Sequence, residues 1–230
     1  MSIDKRKKYF LAIDVEGVGE LDSPLTYDIG GAVIDKRGTI YESFSFVVRD
    51  VFFNPEVDMA TAYYADKIDT HYKPGIKSGK FDVRKFNHVK FFIRDLIKKY
   101  DIKKAFAYNA SYDRGALNNT SAFITPEYKY FLPYGVEIGC IWHMACQVIC
   151  TQKSYKKFAK ENGLVSEKGN IRTSAEAVYA YMIDDPNYQE EHTGFEDVKI
   201  EAEILARCFR QKKKMSTKIN RLCWRIPQRA

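Results

Sequence analysis

The sequence lacks the features that would place it in a membrane or outside a cell. No run approaches the roughly 20 apolar residues needed to cross a bilayer. A basic stretch, Lys5 to Lys8, precedes an apolar run, but that run breaks at Asp14 and no small-residue cleavage site follows, so no secretory leader is expected. Cysteine is scarce and odd in number, five in 230 residues. Such usage fits reduced thiols in a cytoplasm better than a disulfide framework. Internal repeats and low-complexity linkers are also missing. Acid is missing from one region only. From Arg207 to Ala230 the chain carries nine lysines or arginines and no Asp or Glu, so the overall charge of +7 conceals a body at −2. A basic segment beside a near-neutral body is an electrostatic footprint for phosphate, and reads equally well as a solvated helix end. Trp224 and Ile226 within it imply that part of the segment docks.

What is present argues for a folded α/β domain. Hydrophobic residues make up 45% and aromatics 14%, enough for a sizeable core. Tyr9 to Ile13 is an apolar run of strand length. Two further strands are expected at about Tyr27 to Ile34 and Ile40 to Val48. They are joined by the turn Asp35-Lys-Arg-Gly38, whose Asp and Gly suit a type I turn. Phe86, Val89, Phe92 or Ile93, Leu96 and Ile97 recur at helical spacing, and Lys98 and Lys99 favour the carboxyl end of that helix. A short strand follows at Lys104 to Asn109, then a helix with Ser111 as its expected N-cap. Another strand is expected at Gly135 to Trp142, then a helix from about His143 to Thr151. A further helix is closed by Gly163, and another is capped at Thr173 or Ser174. The last helix runs from Gly194 to Gln211. Three strands, then alternating helices and strands, then helices alone, predict a mixed sheet with an antiparallel three-strand start, flanked by helices. Residues 1–210 read as one domain, residues 50–80 as a surface insertion and residues 211–230 as the basic tail.

The candidate chemistry lies in the acids. In a strand, residues i and i+2 face the same side, so Asp14 and Glu16 would stand side by side at the end of an apolar strand. Two like charges so close destabilise a site unless a cation lies between them. The alternative is that the strand stops at Ile13 and both acids are solvated. Asp113 falls in the first turn of the helix after the fourth strand, and Asp197 in the first turns of the last helix, just after His192. Each of these acids could merely favour a helix dipole. Sites in open α/β sheets form outside the carboxyl ends of strands, where these residues can converge. An oxygen-rich set of this kind suits Mg²⁺ or Mn²⁺.

The D-x-E of Asp14 and Glu16, Asn109-Ala-Ser-Tyr-Asp113, and H-x-x-x-x-D from His192 to Asp197 resemble, in order, the three motifs of the DEDDh family of 3′→5′ exonucleases. That family holds DnaQ-like and RNase T-like enzymes on an RNase H-like fold. The resemblance covers about Tyr9 to Arg210, and the third-motif region is similar to that of phage-encoded members. It implies two metal ions, Mg²⁺ with Mn²⁺ as substitute, held by Asp14, Glu16, Asp113 and Asp197, with His192 as general base. It implies Val18, Asn109 and Tyr112 as substrate-binding residues. The implied substrate is the 3′ end of single-stranded DNA or RNA, DNA favoured, with the basic tail following its backbone. The resemblance leaves open RNase T-like RNA trimming, a polymerase or replication protein as partner in trans, a homodimer, and a host-cytoplasm location if the chain is phage-encoded. It also leaves open a nucleic-acid binding module that has lost turnover. Phe195 departs from the small or apolar residues many relatives carry after the histidine. Cys140, His143, Cys146 and Cys150 resemble a zinc set in type alone, because their spacing along one helix spreads them over more than two turns.

Overall fold

Ten consecutive residues, Tyr9–Val18, form β1, so the strand runs past Ile13 and carries both Asp14 and Glu16. In this computed structural model, which describes residues 3–127 and 129–229, β1 pairs antiparallel with β2 (Leu25–Asp35), and β2 with β3 (Ile40–Val48). The turn between β2 and β3 closes with Gly38 N–H donating to the Asp35 carbonyl, and Gly38 takes φ +85°. The short strand β4 (Val83–Arg84) joins parallel to β3 at the edge. Helix α1 (Phe86–Lys99) leads to β5 (Lys104–Ala107), which pairs parallel with β1. Helix α2 (Ala110–Ile124) leads to β6 (Glu137–Cys140), parallel to β5. The six strands lie in the order β4-β3-β2-β1-β5-β6. Among the described residues, four longer helices follow, α3 (Ile141–Val148), α4 (Lys153–Glu161), α5 (Ala175–Ile183) and α6 (Gly194–Arg210), and then a single turn at Ile226–Arg229.

Alternation along the strands builds a core on each face of the sheet. Leu11, Ile13 and Val15 of β1 point into one cluster with Phe86, Val89 and Ile93 of α1 and Leu117 of α2. Phe10 and Ala12 point into the other, against Ile141 and Met144 of α3 and Val198, Ile204 and Leu205 of α6. Asp14 and Glu16 continue the Phe10–Ala12 parity, so they emerge on the α6 face. Helix α6 can reach them because two glycines meet there. A Cβ on Gly30, the β2 partner of Asp14, would lie 2.0 Å from the Gly194 carbonyl oxygen, and one on Gly194 would lie 2.6 Å from the Gly30 nitrogen.

Two segments are more firmly bound than their sequence suggests. Residues 50–80 fold as short helical turns that bury Ile68 and Tyr72 in the first cluster. The basic C-terminal segment lies along the outer strand β6. The Cys140 N–H donates to the Thr217 carbonyl at 2.9 Å, and the Gln147 amide exchanges hydrogen bonds with the Ser216 backbone. Cys223 is buried, and the Gln228 side chain pairs with both backbone groups of Ile171. This covers a sheet edge that would otherwise offer unpaired backbone groups. Among the described residues, no helix is long and apolar enough to cross a membrane.

Candidate active site

The carboxyl ends of β1 and β5 open onto a cavity of about 490 Å³. Its walls bring together Asp14, Glu16, Asp113, His192 and Asp197 from four segments of the chain. One carboxylate oxygen each from Asp14, Glu16 and Asp197 lie within 4.8 Å of one another. β1 supplies the first two as same-face neighbours. The contact between Gly30 and Gly194 sets the first turn of α6 against β1, which places Asp197. Asp113 is buried in the first turn of α2.

The electrostatics match an unneutralised cation site. Burial, and then the charges of Glu201, Asp113, Glu16 and Asp197, push the Asp14 carboxyl well above the ordinary range. Burial and the neighbouring charge of Asp197 do the same to Glu16. Burial raises Asp113 and Asp197 to about 7 each. Asp197 Oδ1 is buried and has no hydrogen-bond partner among the described residues. Buried polar atoms are nearly always satisfied, so an orphaned carboxylate oxygen facing other carboxylates fits a divalent cation. The donor set is all oxygen, which suits a hard ion.

His192 sits on a loop before α6 with φ +48°, in the left-handed region. Its ring stacks on Tyr64, with centroids 4.2 Å apart and planes 13° from parallel. Lys67, one turn after Tyr64, donates to the Glu191 carbonyl and holds the same loop from beneath. Burial, then the Lys67 charge, lowers the imidazole pKa below its usual 6.5. The ring nitrogen Nδ1 lies 3.8 Å from Glu190, whose carboxyl burial raises to about 8.

Of the expected substrate contacts, Asn109 and Tyr112 line the cavity. Gly17 makes room for Tyr112, since a Cβ there would come 2.1 Å from the phenol oxygen. Val18 does not line the cavity and is 1% exposed. The pairing of β1 with β2 shifts register between Glu16 and Gly17, and this bulge turns Val18 into the opposite core cluster. Ser111 does not cap α2; Asn109 occupies the N-cap without a side-chain bond, and the Ser111 hydroxyl accepts from Arg221 instead. Ser174 caps α5 through the Ala177 N–H. The Cys140 thiol donates to the Tyr108 carbonyl, and His143 Nδ1 lies 2.7 Å from the Lys218 carbonyl oxygen.

Four further residues at the site carry no signal that the sequence motifs record. Glu201 is buried in the cavity wall and accepts the Tyr108 N–H at 3.1 Å, and its Oε2 has no hydrogen-bond partner among the described residues. Its signal was its place four residues after Asp197, on the same helix face. Asp28 is buried beside the site and accepts from Tyr72 and from the Gly194 N–H, so it anchors the start of α6. Tyr64 and Tyr63 come from the 50–80 segment, which gave no usable pattern.

The chain has the RNase H-like fold, in the form found in exonucleases. Among solved structures it is similar to exonuclease I of E. coli in complex with a dA16 oligonucleotide, with a TM-score of 0.57 and 12% identity. The zinc-bound complex of the same enzyme with single-stranded DNA matches with a TM-score of 0.53 and 12% identity over 85% of this chain and 39% of that one. Cell-death related nuclease 4 matches with a TM-score of 0.53 and 15% identity. The similarity covers 89% and 91% of this chain for exonuclease I with dA16 and the cell-death nuclease, but 42% and 66% of those proteins. No protein-family model and no curated protein matches the sequence.

Proposed function

We propose that the protein is a metal-dependent 3′→5′ exonuclease that hydrolyses single-stranded nucleic acid, DNA in preference to RNA, and releases nucleoside 5′-monophosphates. The observation that carries this reading is the convergence of four carboxylates and His192 at the carboxyl end of the sheet, on the fold of known exonucleases. Asp14, Glu16 and Asp197 would hold one divalent ion, and Asp14 with Asp113 a second; Mg²⁺ or Mn²⁺ suits these donors. Ions held by these residues would supply positive charge to neutralise the phosphate and to activate the water that attacks it in line. The zinc-bound neighbour supports a metal requirement.

The chain's own residues supply the remaining work. His192 takes the proton of the attacking water. Burial and the Lys67 charge lower its pKa, which favours the neutral imidazole that a general base requires. The Tyr64 stack and the Lys67 bond to Glu191 fix that ring over the cavity. Tyr112, Asn109 and the partly buried Trp142, whose indole N–H is fixed by Thr173, form a wall against which a terminal nucleotide can rest. Contact with an aromatic face is tolerant of sequence, which suits an enzyme that removes every base in turn.

The test uses 5′-labelled single-stranded DNA and RNA of one sequence, in Mg²⁺ and in chelator, with His192→Ala as control. A ladder shortening from the 3′ end, lost in chelator and in the variant, is expected, and faster on DNA. Binding without any ladder in Mg²⁺ or Mn²⁺ would make the protein a nucleic-acid binding module instead.

A further inference from the structure

The sheet that ends in acids at one pole begins in cations at the other. The amino ends of β1, β5 and β6 share that second pole, at Tyr9, Lys104 and Glu137. Tyr9 and Asp14 are five residues apart on β1, about 16 Å at the usual rise of a strand. A groove of about 980 Å³ opens there, lined by eight lysines or arginines against two carboxylates, Asp101 and Glu137. Some of these cations are paired: Lys7 with Asp35, Lys99 with Glu42, Lys103 with Asp101 and Lys104 with Glu137. Lys5, Lys8 and Lys98 are exposed and form no ion pair among the described residues.

The groove continues. A cavity of about 570 Å³ shares Lys98, Asp101, Lys103 and Gly135 with it, and one of about 880 Å³ shares Lys104, Gly135 and Glu137. Tyr134 stands where these two smaller cavities meet, with its ring wholly exposed, and Tyr130 nearby is 73% exposed. The larger of the two runs beside α2 past Arg114 to Lys218. Three residues on, Arg221 Nε donates to Ser111 Oγ at 2.8 Å, next to Tyr112 of the acid cavity. Cations and exposed aromatics therefore form one track from the far pole to the rim of the candidate active site.

We propose that this pole, with the track through Arg114, Lys218 and Arg221, binds the part of a single-stranded nucleic acid that lies 5′ of the reacting end. Lys5, Lys8 and Lys98 meet phosphates, and Tyr134 offers a platform for a base. Unpaired cations on a chain of net charge +7 complement a phosphate backbone, whose counterions they release. A ring turned fully to water complements a base, a feature that an inorganic polyanion lacks. Nucleic acid as the occupant rests on the exonuclease reading, whereas the charge and the exposed ring stand apart from it.

The test measures fluorescence anisotropy of labelled single strands on the full chain carrying Asp14→Asn, in chelator, so that no cleavage intervenes. Strands of about 4 and about 30 nucleotides separate the cavity from the pole, since one binding site commonly takes about 4–16. The triple variant Lys5→Glu, Lys8→Glu, Lys98→Glu should weaken the long strand about tenfold or more and leave the short one unchanged. It should also lower the slope of log affinity against log salt by about 2, as three lost phosphate contacts on a single strand require. Tyr134→Ala should cost the long strand about tenfold. Unchanged affinity and slope in the triple variant would overturn the proposal. A loss on charge reversal with none in Tyr134→Ala, and polyphosphate competing as well as DNA, would overturn nucleic acid as the occupant. Pole-dependent binding in a protein whose native Asp14 form cleaves nothing in Mg²⁺ would overturn the exonuclease reading and leave this one standing.

Discussion

The two poles of the sheet carry opposite charge and hold it by opposite means. At the carboxyl end, Glu16, Asp113, Asp197 and Glu201 are buried together beside Asp14, and their proton affinities rise in response. At the amino end, Lys5, Lys8 and Lys98 stand in water, where a charge costs almost nothing. Buried acids in one cluster need a ligand to be stable as ions; exposed bases do not. The first pole is therefore held by architecture, through a strand, two helix starts and a glycine contact. The second is a matter of surface composition. Substitutions should accordingly change chemistry and stability at the first pole, and only affinity at the second.

The largest contrast should come from Asp14→Asn. We expect cleavage to fall about a thousandfold or more, as for other groups that act as a unit. The metal-free variant should melt no lower than the native protein, because a buried like charge is gone; a clear loss of melting temperature would show that Asp14 is paired in the fold. Next is Gly30→Ala. Its methyl group would meet backbone rather than a movable side chain, so about 3 kcal/mol of stability should be lost, read from urea unfolding. A loss below about 0.5 kcal/mol would mean that α6 can shift without consequence, and that Asp197 is not placed by this contact. Tyr64→Ala should lower kcat about tenfold with KM little changed, and Tyr64→Phe should restore it, since the stacked face and not the hydroxyl positions His192. Equal defects in both variants would assign the role to the hydroxyl.

The smallest effect is on pH. Asp113 and Asp197 stand at about 7 and Glu190 at about 8, each raised by burial above its value in the unfolded chain. The folded state thus retains protons that the unfolded chain has released. The stability this confers is complete below about pH 4 and is lost as pH rises through about 7 to 8. Denaturation in chelator should show at least about 1 kcal/mol less stability at pH 8 than at pH 5 from this source. Asp113→Asn with Asp197→Asn should flatten that dependence, and an unchanged profile would place its origin elsewhere.

The acids at the carboxyl pole were legible because they interrupt apolar runs. Asp14 and Glu16 follow Tyr9 to Ile13 at strand spacing, and a strand fixes which way they point. The mixed sheet was legible from three alternating strands followed by helices. The two-residue β4 was not, since Val83 and Arg84 form no apolar run of strand length. The bulge after Glu16 was also hidden, and it is the reason Val18 turns away while its parity alone would place it with the acids. Tyr64 was invisible because its role depends on a stacking partner 128 positions away, and no local pattern records that. The basic pole was hidden for the same reason. It draws on residues 5–8, 98–104, 133–137 and 218, and each of these alone reads as a solvated end or loop.

The most direct test of the acid pole is calorimetric titration of the metal-free protein with Mn²⁺, beside Asp14→Asn and Asp197→Asn. The native chain should bind the ion and release protons as it does so, because the carboxyls are raised, and either substitution should weaken binding by at least about tenfold. Unchanged affinity in both variants, or no binding by the native chain, would contradict a metal centre at Asp14, Glu16 and Asp197.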